Sequence, residues 1–210
     1  MRGLIGKKVG MTRFFDKDTG REIPVTIIET AQNVVHQVKT VEKDGYRAVQ
    51  LGYGIVPEKR VTKPLLGHFR KSNAAPSRTL KEFGLDEGET DPTLGQKVGV
   101  EVLQDVKFVD VIGTSKGRGY AGPIKRHNFH RGRETHGNTN HREPGSTGAC
   151  SFPSRVFPGQ RMAGQYGNAQ CTIRRLEVVG VEQDAGLVYV KGSIPGRSSG
   201  IVFIRKCIDK

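Results

Sequence analysis

Short β-branched runs, separated by glycine, proline and acidic turn residues, dominate the hydrophobic pattern of this chain. Residues 23–28, 33–41, 46–53, 97–103, 108–112, 171–179, 187–191 and 201–205 each have strand length and strand composition. The Asp44-Gly45 pair predicts a turn ahead of the third run. Many short strands joined by Gly and Pro turns predict a mainly β chain, built as a small barrel or a sandwich. Residues 63–70 and 78–83 read as short helices, so the stretch around them predicts a small α+β insert. The expected division is a barrel core from 1–45, 94–112 and 171–210, an insert over 46–93, and a long extended basic loop over 113–170.

Composition sharpens that last segment. The 210 residues carry 34 Lys plus Arg against 21 Asp plus Glu, a net charge of +13. Residues 113–170 hold nine of those cations and only two acids, together with four of the six histidines, 11 glycines and 4 prolines. Their only large apolar residues besides tyrosine are Ile124, Phe129, Phe152, Val156, Phe157 and Met162. Such a stretch cannot bury enough surface to offset its ordering entropy. A structureless loop of this length is either functional or disordered. No simple repeat or Ser/Gln tract is present, so the expectation is an extension that folds against a polyanion. A DNA-compacting protein would share the charge but has no use for so specific a loop.

Other chemistry fits less well. Gly117-Arg118-Gly119-Tyr120-Ala121-Gly122 matches the spacing of a dinucleotide-binding turn. A Gly-Pro and a basic cluster follow in place of an amphipathic helix, and no acid-bearing second strand lies about twenty residues on. Glycines here suit close approach of a nucleic-acid backbone, with Lys116 and Arg118 on phosphates. His127, His130, His136, His141 and Cys150 lack the paired short spacing of a structural metal site, so no metal is expected. Cys150 has basic neighbours but no accompanying triad or oxyanion signature. Cys171 and Cys207 sit in apolar runs and are expected in the core. Three cysteines without a CxxC pair suit a reducing compartment, the cytoplasm by default. No run approaches the roughly 20 apolar residues of a membrane helix, and no secretory signal opens the chain.

Several clusters are more specific than composition. Phe108-Val109-Asp110-Val111-Ile112-Gly113-Thr114-Ser115-Lys116-Gly117-Arg118-Gly119-Tyr120-Ala121-Gly122, then Lys125-Arg126, resembles the signature of the universal large-subunit ribosomal protein L three family in its bacterial form. Gly3-Leu4-Ile5-Gly6-Lys7-Lys8-Val9-Gly10-Met11-Thr12 resembles that family's N-terminus. Asp44-Gly45-Tyr46, Lys63-Pro64, Gly67-His68-Phe69, Thr135-His136-Gly137, Pro144-Gly145-Ser146, Arg161-Met162-Ala163-Gly164 and Val190-Lys191-Gly192-Ser193-Ile194-Pro195-Gly196 follow collinearly.

The resemblance implies a small closed barrel of the translation-factor type with an α+β insert. It also implies a loop running through large-subunit rRNA toward the peptidyl transferase centre, direct rRNA binding early in assembly, and neighbours from the subunit-protein families numbered fourteen and nineteen. No enzymatic activity, cofactor, small-molecule substrate or membrane is implied. The residues expected on rRNA are Lys7, Lys8, Lys116, Arg118, Lys125, Arg126, His127, Asn128, Arg131, Arg133, His136, His141, Arg142, Arg155 and Arg161. Residues 144–155 would form the tip nearest the catalytic RNA, with Gly145, Ser146, Gly148, Ala149, Cys150 and Ser151 at its centre. Two departures stand out: His127 replaces a Trp found in some relatives, and Ala149-Cys150-Ser151 replace amide or basic side chains.

Overall fold

A computed structural model describes residues 1–16, 20–86, 88 and 90–207. In chain order its elements are β1 (Gly3–Phe15), β2 (Glu22–Glu29), β3 (Asn33–Lys39), α1 (Val41–Asp44), β4 (Ala48–Ile55), α2 (Lys63–Arg70), β5 (Ser77–Gly84), β6 (Lys97–Val98), β7 (Phe108–Thr114), β8 (Tyr120–Ala121), α3 (Pro123–His127), β9 (Gly164–Gln165), β10 (Gln170–Glu182), β11 (Leu187–Lys191) and β12 (Ile201–Lys206). The chain divides into two compact units, Met1–Thr114 with Gln170–Lys210, and Ser115–Ala169.

The first unit is built on a closed antiparallel barrel in the order β1-β12-β7-β10-β11-β2. Two long strands close it. β1 pairs with β12 over residues 3–7 and with β2 over residues 7–15, with a register shift between Lys8 and Gly10. β10 pairs with β7 as far as Glu177 and with β11 from Val178, again through register shifts. Each bulge bends its strand so that one strand serves two neighbours around a corner. The interior follows the period of two: Val109 and Val111, Val188 and Val190, Val202 and Ile204 are all buried, with Leu4, Ile5, Val25 and Ile28 beside them. Each such side chain contributes about 1.5–3 kcal/mol of transfer free energy.

β3 lies outside the barrel, although residues 33–39 fall in the segment expected to build it. It pairs with β4 and β6 in a four-stranded sheet ordered β5-β4-β3-β6. The chain leaves the barrel through two buried polar residues. Thr30 donates from N and Oγ1 to the Gly186 carbonyl, at 2.8 and 3.1 Å. The Asn33 carboxamide accepts from Ile5 N at 3.1 Å and donates to Ile5 O at 2.8 Å. The two sheets share one core, since Val35, Val49, Leu51 and Phe83 pack into the cluster containing Leu4, Ile5 and Ile28.

Three further expectations change. Residues 78–83 form part of strand β5, not a helix. Leu80 and Phe83 are spaced like a helical face, but pairing with β4 buries Phe83 and leaves Leu80 half-exposed. Only Lys97–Val98 of the 97–103 run is strand, and Val100–Leu103 is a 3₁₀ turn. Cys171 is exposed on β10 and Cys207 is half-buried. Helix α2 forms over the expected residues, with Phe69 its buried anchor.

One polar network ties α2 to this sheet. The Ser72 hydroxyl donates to Phe69 O at 2.8 Å, so it accepts from His36 Nδ1 at 2.9 Å. His36 Nε2 then accepts from the Ser77 hydroxyl at 2.8 Å. This assignment makes the buried ring neutral. Burial and the neighbouring His68 lower the His36 pKa. A Cβ on Gly52 would overlap the imidazole, so glycine is required opposite it.

Candidate nucleic-acid interface

The second unit, the arm Ser115–Ala169, joins β7 to β10. It begins as a two-stranded stem. Ser115 N donates to Ala169 O, Arg118 N to Tyr166 O and Tyr166 N to Gly119 O, all at 2.9 Å. β8 and β9 continue it through Tyr120–Gln165 and Ala121–Gly164. Gly117–Gly122 therefore builds a hairpin stem, not a strand-to-helix nucleotide turn. The single turn α3 follows, with Pro123 in its first turn and Asn128 in the left-handed region (φ 58°) at its end. Pro suits a helix start because it needs no partner for an N–H, and Asn tolerates the left-handed terminus.

Arg126 and His127 close the stem. Arg126 Nη1 and His127 Nε2 both donate to the Met162 carbonyl, at 2.7 and 3.1 Å. The guanidinium lies against Gly164, where a Cβ would come within 2.8 Å of Nη1. These two side chains are half-buried and position backbone, whatever else they touch.

Side chains and backbone amides shape the next segment. Gly132 N donates to His141 O at 3.2 Å, and His141 Nδ1 donates to Arg133 O at 3.0 Å. Asn138 Nδ2 donates to Arg133 O at 2.7 Å and to Asn140 O at 3.0 Å. Asn140 Oδ1 accepts from Glu143 N at 3.2 Å. Arg131 pairs with Glu134. At the tip Ser146 Oγ donates to Gly148 O at 2.8 Å. Of the 55 residues of this unit, only Ala121 and Pro123 are buried, so hydrogen bonds hold its shape without an apolar interior.

Lys116, Arg118, Lys125, Asn128, Arg131, Arg133, His136, Arg142, Arg155 and Arg161 are exposed, as are Gly145, Ser146, Gly148, Ala149, Cys150 and Ser151. The Arg118 guanidinium lies 4.9 Å from the Tyr166 ring centroid and Arg155 lies 5.6 Å from that of Phe157. Tyr120 is 80% exposed and Phe152 87% exposed. Open aromatic faces among arginines offer stacking surfaces to bases. The sequence reading left these aromatics out. The available signal was large rings in a segment with no core to receive them.

Lys8 requires correction. It is only 8% exposed, and its ammonium donates to Ile194 O at 3.0 Å and Gly196 O at 3.5 Å. Its charge secures the 194–196 turn and is not presented outward, because the bulge at residues 8–10 turns the side chain under that turn. Lys7 is half-buried. Among the described residues no three His, Cys, Asp or Glu side chains converge as metal ligands, and no helix is long and apolar enough to cross a membrane.

A closed β-barrel that inserts a coreless cationic hairpin between two adjacent strands defines a class of basic barrel proteins. The family model for Ribosomal protein L3 matches residues 93–186, a span covering β6 to β10 and the whole arm. The chain is 50% identical over 202 residues to large ribosomal subunit protein uL3 of Picosynechococcus sp., covering 96% of this chain and 94% of that one. It is 49% identical over 208 residues to the same-named protein of Petrotoga mobilis, covering 99% and 96%. The corresponding protein of Crocosphaera subtropica is 49% identical over 202 residues, covering 96% of this chain and 95% of that one. The chain belongs to the ribosomal protein L3 family.

Proposed function

We propose that this chain is a structural, non-enzymatic component of the large ribosomal subunit in the cytoplasm, and that it binds large-subunit rRNA directly through the Ser115–Ala169 arm. The carrying observation is the pairing of charge with lack of core: nine cations, two acids and two buried residues in 55. Each phosphate neutralised releases counterions, with a salt slope of about −0.7 to −0.9 per contact. Arg118 and Arg155, held over aromatic rings, keep their guanidinium edges free to fork onto phosphates. The stem and the Asn138–Asn140 turn are already hydrogen-bonded, which leaves less chain to order when RNA arrives. Arg126 and His127 act by holding Met162. The exposed tip around residues 145–151 reaches toward the peptidyl transferase centre. Binding comes early in subunit assembly, and proteins of families fourteen and nineteen are its neighbours. In this reading residues 113–170 are the RNA-binding loop, and the six-stranded barrel with the β5-β4-β3-β6 sheet is the folded body that carries it.

Hydroxyl-radical footprinting on large-subunit rRNA tests the reading. The chain should protect a discrete set of riboses, and Arg142→Gln with Arg155→Gln should remove part of that set and flatten the salt slope by about 1.5. An unchanged slope and footprint would remove the arm from the interface.

A further inference from the structure

A second cationic feature lies on the barrel unit. A groove of about 570 Å³ is lined by five cations, Arg2, Arg174, Arg175, Arg205 and Lys206. Its two carboxylates are Glu82 and Asp110. Glu82 is occupied by Lys39 at 3.1 Å and by the Tyr46 hydroxyl at 3.0 Å. Asp110 Oδ1 accepts from the Arg175 backbone N at 2.9 Å, and its other oxygen lies 3.9 Å from Arg205. Arg2 pairs with Asp86 at 2.7 Å. Among the described residues, no carboxylate forms an ion pair with the side chains of Arg174 or Arg175, while the half-buried Lys206 helps Arg2 to lower the pKa of Asp86.

The backbone is arranged to assemble them. Ile173 pairs with Val111 and Leu176 with Val109, so three steps along β10 answer two along β7. The extra residue is accommodated with Arg175 at φ 54°, in the left-handed region that a long side chain seldom adopts. In a regular strand, consecutive side chains point to opposite faces. Here Arg174 and Arg175 are both exposed and both line one groove. The Asp110 carboxylate staples the bulge by its backbone contact and leaves the Arg175 guanidinium over the Phe108 ring, 5.1 Å from the centroid. Backbone strain that brings two like charges together points to an anionic occupant.

We infer that this groove is a second RNA site, in which Arg174, Arg175 and Lys206 bind consecutive phosphates of a strand other than the one the arm engages. The inference rests on the reading of the chain as an rRNA-binding protein, but uses none of the arm's residues. The site is open and cationic, with a planar guanidinium backed by an aromatic face, which suits a phosphodiester chain.

The test uses the full chain and large-subunit rRNA. Arg174→Gln with Lys206→Gln leaves the strained position at 175 untouched. It should erase one set of protected riboses, leave the arm-dependent set intact and reduce the salt slope by about 1.4–1.8. Arg174→Lys with Lys206→Arg should keep both. Should the double Gln variant unfold in a thermal melt, Lys206→Gln alone should still lower the slope by about 0.7–0.9. An unchanged slope and footprint in a folded Gln variant overturns the groove while the arm stands. Retained rRNA binding with lost poly-glutamate binding also overturns it, in favour of an acidic protein segment. A wild-type chain that protects no ribose removes the RNA reading itself.

Discussion

The barrel unit and the arm solve the same problem by different physics. In the barrel, alternate residues of β7, β11 and β12 turn valine and isoleucine into a shared interior, and the hydrogen-bond ladder closes on itself. In the arm, almost nothing is buried. Its form depends on backbone bonds across the stem, three asparagine and histidine side chains that hold carbonyls and amides, and one carbonyl gripped twice. Apolar burial makes a unit indifferent to its surroundings. A hydrogen-bonded, charged unit remains sensitive to them, and that sensitivity is useful when the surroundings are nucleic acid.

The contrast can be tested most strongly in the core. Ile204→Ala should cost about 2–5 kcal/mol in denaturant unfolding, whereas Phe152→Ala, 87% exposed in the arm, should change the same midpoint by less than about 0.5 kcal/mol. Equal effects would erase the distinction. Next comes the stem. Gly164→Ala should push Arg126 off the Met162 carbonyl and cost the stem about 0.5–1.5 kcal/mol. Limited proteolysis should then cut the arm faster, with the barrel midpoint unmoved. A barrel that softened together with the stem would argue against independent units.

The smallest effect concerns pH. The folded-state pKa of His36 lies below its unfolded value, because burial disfavours the imidazolium. Below about pH 6.5 the unfolded chain takes up a proton that the folded ring resists, so stability falls as pH drops, by at most about 1.4 kcal/mol per pH unit. Above that pH the contribution is fully present. His36→Gln should flatten this limb of a pH–stability curve, and the arm's proteolysis rate should not follow it. An identical curve in the variant would assign the acid sensitivity elsewhere.

Much of this organisation was visible in the residues alone. Strands β2, β4, β7, β11 and β12 announce themselves by β-branched alternation, and the coreless segment by its missing apolar residues. Partner choice was not visible. Residues 33–39 read as a good strand, but nothing local says that they pair with β4 and not in the barrel. β1 was not marked as a strand by its pattern, because Gly3, Gly6, Lys7, Lys8 and Gly10 interrupt the alternation, and only pairing to β12 and β2 over its length makes the strand. Lys8 looked like an RNA contact because its burial depends on a turn 186 residues away in sequence. Arg174 and Arg175 were hidden for a related reason. Adjacent arginines in a strand should diverge, and only the extra residue in the ladder makes them converge.

The Asn33 carboxamide has a quieter consequence. Its oxygen and nitrogen meet the N–H and C=O of Ile5 much as a passing peptide group would. β2 stops short of that point, its pairing with β1 ending at Lys7–Glu29. Without the amide, Ile5 would bury an unanswered donor and acceptor side by side, at about 1–3 kcal/mol each. A single side chain thus stands in for the missing strand at the point where the barrel and the four-stranded sheet share one interior.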